Sequence, residues 1–193
     1  MKSNLEQTQS ILYLGYVLLV VLGIIHETLF YSQFGVNILE YSDILDVLLS
    51  PISQLTSNII LLSLSLLVIV LVIVLPKWSN RLKDKKWFVN FFKLNTEGIV
   101  VEKKVLNTLT TFSVIFFVGI FVGSGFGKGE KLKNKIRSGD VDYNDSISFI
   151  DGNSIKAEVI GKNSSYIFYL IKDRSDVTIS PISGTVKSLI INK

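Results

Sequence analysis

Residues 59–75, IILLSLSLLVIVLVIVL, form an apolar run interrupted by two serines and by no charge. At a rise of about 1.5 Å per residue, a helix of that length nearly spans the hydrocarbon core of a bilayer. A helix in a soluble core would show a polar face. Here Ser63 and Ser65 are the only polar positions, and a serine can satisfy itself against its own helix carbonyls. Pro76 and a dense basic stretch, residues 77–86, follow at once. The chain reads as an integral membrane protein, with residues 58–75 as its surest span.

Two further spans are expected. Residues 10–31 are apolar up to His26 and Glu27, and they lack the basic start and small-residue cleavage site of a secretory signal. His26 and Glu27 form a candidate intramembrane polar pair, with interfacial solvation the expected explanation for it. Residues 105–126 are polar at first (Asn107, Thr108, Thr110, Thr111, Ser113) and then strongly apolar. Gly119, Gly123 and Gly127 stand four apart and share one helix face, which makes them the candidate ridge for helix packing or oligomerisation. The glycine-rich run 123–128 lacks the spacing of a phosphate loop, since Gly129 and not Ser or Thr follows Lys128.

Between the first two spans, residues 41–55 carry Tyr41, Ile44, Leu45, Leu48, Leu49, Ile52 and Leu55 at helical spacing, with Asp43 and Asp46 elsewhere. Ser42 and Asp43 give a helix start. The segment is too acidic to cross hydrocarbon, so an amphipathic helix lying in the interface or packed over the bundle is expected, with covering its own bundle preferred to binding a partner by this face. Residues 76–104 are expected as a basic loop mixing cations with aromatic residues. Lys77, Trp78, Arg81, Lys85, Lys86 and Trp87 are its candidate contacts to anionic lipid headgroups. Residues 96–104 within it read as a short extended element or a connection.

Residues 128–145 read as a charged connector in which Asp140, Asp142 and Asp145 are solvated, because the spacing of a calcium loop is missing. From residue 146 the period changes to two. SISFI, SIKAEVI, SYIFYLI, VTIS and VKSLIIN read as five short strands, with Asp151–Gly152 as a hairpin turn and SYIFYLI buried on both faces. The expected architecture is thus α+β: a helical membrane domain over residues 1–127, then a small antiparallel, barrel-like β domain over 146–193. A domain that small buries a marginal core, so it is expected to lean on the membrane helices or on copies of itself.

Charge distribution sets the expected topology. Residues 31–57 hold no Lys or Arg, whereas 76–105 hold Lys77, Arg81, Lys83, Lys85, Lys86, Lys93, Lys103 and Lys104. Keeping Lys2 and those eight inside leaves Lys128, Lys131, Lys133, Lys135 and Arg137 outside, which the positive-inside rule prefers to the reverse. The expectation is a multi-pass protein of the bacterial cytoplasmic (inner) membrane with a cytoplasmic N-terminus and the β domain outside. If the third segment is re-entrant, the β domain is cytoplasmic.

Chemistry is sparse. The chain has no cysteine and one histidine, which excludes thiolate catalysis, disulfides and multi-histidine metal sites. No nucleophile–base set or carboxylate pair appears, so no catalytic, metal or cofactor residues are assigned and no enzyme is expected. The β strands balance Lys156, Lys162, Lys172, Arg174 and Lys187 against Asp151, Glu158, Asp173 and Asp176, which gives no footprint for nucleic acid. Tyr166, Phe168 and Tyr169 fit a core better than a stacking platform. The favoured function is a membrane-anchored binding or assembly module whose partners are the bilayer and either its own copies or another membrane protein. The alternative is a small channel or membrane-perturbing effector with a sensing β domain, its pore lined by Asn107, Thr110, Thr111, Ser113 and Ser124.

Overall fold

The computed structural model describes residues 2–94, 100–172, 174 and 176–192, with side chains at residue 9 and from 13 onward. Its elements are α1 (Lys2–Ser32), a 3₁₀ turn (Ile38–Glu40), α2 (Ile44–Thr56), α3 (Ile59–Leu82), α4 (Lys86–Phe92), α5 (Val101–Ser138), and strands β1 (Asp145–Phe149), β2 (Ser154–Lys162), β3 (Tyr166–Ile171), β4 (Thr178–Pro181) and β5 (Val186–Ile190). The fold is α+β. Three helices, α1, α3 and α5, are long and apolar enough to cross a membrane. Residues 95–99, within the expected extended element or connection, lie outside the described residues; 101–104 open α5.

Local chemistry explains the helix starts better than the expected stops. Asn58 caps α3, its side chain accepting the N–H of Ile60 at 3.0 Å and of Leu61 at 3.3 Å. Asp43 precedes α2, and its N–H donates to Asp46 Oδ2 at 3.1 Å, half of a capping box. Pro76 does not end α3. The helix runs on to Leu82, and Ser79 Oγ donates to the Pro76 carbonyl at 2.6 Å. The basic stretch 76–104 is therefore largely helical and not a loop: it holds the tail of α3, all of α4 and the first turn of α5. α5 runs unbroken for 38 residues, well past 126, so no re-entrant turn lies within it.

The chain divides into two compact units. One, Ile52–Ile120, has a core of Phe88 and Phe92 from α4 against Val105 of α5, flanked by Leu75, Leu82 and Leu109. Lys93 closes α4 in the left-handed region at φ 50°. The other unit joins Met1–Pro51 to Phe121–Lys193.

In this second unit the five strands fall where the alternation places them, in the order β4-β3-β2-β1-β5 with every neighbouring pair antiparallel. The sheet is not closed into a barrel. Its edge strand β4 is four residues long and ends at Pro181, which has no N–H to offer a further strand. Gly152 takes φ 90° in the β1–β2 turn, as the Asp-Gly pair predicts. β3 is buried at its four central positions. On one face Ile147, Ala157, Ile167 and Tyr169 form a core closed by Ile182, Val186 and Leu189. On the other, Phe168 packs against Tyr31 at the end of α1 and Ile38 of the 3₁₀ turn, so the small sheet does lean on a helix.

α2 does not pack its whole apolar face over the bundle. Ile44, Leu45, Leu49 and Ile52 are exposed and Leu48 and Leu55 half-buried, while Val47, Pro51 and Gln54 are buried. Gly23 explains part of this: its bare backbone meets the Val47 carbonyl, leaving α2 no room to present a bulkier face to α1.

Candidate functional site

Three glycines hold α1 in close contact with its neighbours. Besides Gly23 against Val47, a methyl group at Gly125 of α5 would stand 2.6 Å from the His26 carbonyl oxygen, and one at Gly129 3.0 Å from that of Phe30. His26 meets Phe121 and Gly125, and Phe30 meets Gly129, so contact positions rise together along both helices. α1 and α5 are therefore parallel where they touch.

His26 and Glu27 sit inside this junction. His26 is 8% exposed, and its Nδ1 stands 3.4 Å from Glu27 Oε1. Ser50 Oγ of α2 donates to the same carboxylate oxygen. Lys128 of α5 lies within electrostatic reach of Glu27. Glu27 keeps 23% of its side chain exposed while it ties α1 to α2 through a hydrogen bond and to α5 through charge. Among the described residues, His26 Nε2 and Thr28 Oγ1 are buried without a hydrogen-bond partner.

The expected glycine ridge has a different place. Gly119, Gly123 and Gly127 are exposed and have no atom outside their own helix within 4 Å of an added methyl group. Packing within the chain is done by Gly125 and Gly129, two residues on. A two-residue step turns the helix by about 200°, so the two ridges face nearly opposite ways. Exposed Ile115 and Phe126 flank the outward one. The sequence signal for Gly125 and Gly129 was the same four-residue spacing; nothing local to the sequence tells which of two offset ridges meets α1.

The six candidate headgroup residues are all exposed. Lys77, Trp78 and Arg81 stand on the last turns of α3, Lys85 precedes α4, and Lys86 and Trp87 open it. Asp145, expected in a solvated linker, is 5% exposed and accepts the backbone N–H of Val159 and of Asn192, each at 2.9 Å, which pins β1 between β2 and the segment after β5. Nearby, a cavity of about 320 Å³ is lined by Lys135, Asp140, Asp142 and Glu158. Burial and then the charge of Asp145 push the Glu158 carboxyl above the usual range, with Lys135 opposing and Asp142 adding. A wider cavity of about 610 Å³ lies beside β4, lined by Phe34, Glu40, Tyr41 and Asp176. Among the described residues no group of three His, Asp or Glu side chains is placed to hold a metal ion. No family model, curated protein or solved structure matches the chain.

Proposed function

We propose that the chain is a non-enzymatic membrane-anchored assembly module whose copies associate through the outward face of α5. The observation that carries this is the ridge Gly119, Gly123 and Gly127, left open while Gly125 and Gly129 take up packing against α1. In lipid, close approach along a small-residue ridge drives helix association because hydrophobicity gives no preference between a neighbouring helix and an acyl chain. α1, α3 and α5 are the spans. The parallel contact of α1 with α5 supports both crossing in the same sense, and positive-inside then keeps the basic stretch before α5 in the cytoplasm of a bacterial cell and the β domain outside.

The channel alternative draws less support. Thr111, Ser113 and Ser124, three of its expected pore-lining residues, each donate to a carbonyl of their own helix, so their presence in α5 needs no aqueous path.

Light scattering of the purified chain in mild detergent tests the proposal. The expected result is an oligomer that dissociates when Gly119→Leu and Gly123→Leu are combined, with helix content unchanged. A wild-type chain that is monomeric at all concentrations would overturn it.

A further inference from the structure

The corner between α3 and α4 combines features that neither water nor hydrocarbon would accommodate together. It carries the two tryptophans of the chain, Trp78 and Trp87, which are 57% and 61% exposed, and Phe91, which is 60% exposed. Phe91 stacks on Phe112 of α5 with ring centroids 6.2 Å apart, extending the apolar ledge. Phe88 and Phe92, on the other side of α4, already supply its core contacts, so the outward rings are not needed to hold the helix. Around them Lys77, Arg81, Lys83, Lys85, Lys86 and Lys93 are all exposed, against the single carboxylate of Asp84.

Helix length puts this corner at a definite depth. The 24 residues of α3 make about 36 Å, against about 30 Å of hydrocarbon, so with residues 59–75 in the core its last two turns emerge among the headgroups. We propose that the α3–α4 corner is a binding surface selective for anionic phospholipids, the cations meeting the headgroup phosphates while Trp78, Trp87 and Phe91 cover the upper acyl chains. A soluble phosphate would satisfy the cations alone and leave the rings in water, so the lipid is the occupant that uses the whole surface. The inference rests on α3 crossing the membrane but not on self-association.

The two tryptophans make the test specific to this corner. The full chain is reconstituted in phosphatidylcholine vesicles in which the brominated, quenching acyl chains are carried either by phosphatidylglycerol or by phosphatidylcholine, at equal mole fraction. Quenching by the brominated anionic lipid should exceed that by the zwitterionic one about twofold, and the difference should shrink at high salt. Combining Arg81→Gln, Lys85→Gln and Lys86→Gln should bring the two quenching curves together without lowering the thermal midpoint. Equal quenching of the wild type by both lipids overturns the proposal. So does a change in emission with inorganic phosphate that matches the lipid effect. Absence of quenching by either lipid overturns it together with the crossing of α3, whereas a monomeric protein leaves it intact.

Discussion

Gly125 of α5 lies against the main chain of His26 in α1, where an added methyl group would meet the His26 carbonyl oxygen at 2.6 Å and its Cα at 3.2 Å. Both neighbours are backbone, so neither can swing aside. Gly125→Leu should therefore separate α1 from α5 and cost about 1–3 kcal/mol by overpacking. Gly123→Ala, two residues earlier and facing open space, should leave monomer stability unchanged or slightly improved, since alanine is the better helix former. Thermal unfolding of the two variants in detergent checks the contrast; equal loss in both would contradict the assignment of the ridges.

An aromatic contact ties the sheet to the end of α1. Tyr31 is 5% exposed and its ring centroid is 4.8 Å from that of Phe168. Tyr31→Ala should cost about 3 kcal/mol, in the range of large-to-small changes at buried aromatic positions. The loss should fall on the β domain. Hydrogen exchange in β3 should accelerate while α3 keeps its protection.

The extent to which the sequence foretold this arrangement follows from the range of the forces involved. Period and turn chemistry are local, so the five strands, the Asp151–Gly152 turn, the Asp43 helix start and the apolar segments of α1, α3 and α5 were legible. Sheet closure was not, because it depends on whether β4 finds β5. Nor was the continuation of α3 through Pro76 to Leu82, because a proline removes one helix hydrogen bond without deciding whether the helix ends or runs on. The hydrogen bond of Glu27 was illegible for a different reason: its partner Ser50 is 23 residues away and on the face of α2 opposite to its leucines. Asp145 looked solvated because its acceptor role is fixed by β2 and by Asn192 at the far end of the domain.

Glu158 gives the β domain a pH dependence with a definite sign. Burial first, and the nearby Asp145 second, raise its folded-state value above that of an unfolded glutamate. The protonated form is therefore favoured by folding. Its contribution is fully present below the unfolded value and is lost as pH rises through the raised folded value. Glu158→Gln should raise the thermal midpoint at neutral pH. The advantage should fade as pH falls toward about 4.3, where an unfolded glutamate itself takes up a proton. Midpoints that coincide at every pH would contradict this account.

Asp145 works in the opposite direction, as a clasp. Asp145→Ala would leave the Val159 and Asn192 N–H groups without their acceptor, at a cost of about 1–3 kcal/mol. Backbone exchange should quicken first at residue 192 and at Val159, before the Ile147 and Tyr169 core opens.

The most direct measurement of self-association uses the absence of cysteine from the chain. Phe126→Cys places one thiol one turn above Gly123 and two turns above Gly119, beside the outward ridge of α5, and Leu67→Cys places one on an exposed face of α3 as a control. Oxidative cross-linking in native membranes should yield a disulfide-linked dimer of the Phe126→Cys protein in high proportion, and leave the Leu67→Cys protein monomeric. If Phe126→Cys remains monomeric, or both proteins cross-link to the same extent, the outward ridge of α5 is not where copies of the chain meet.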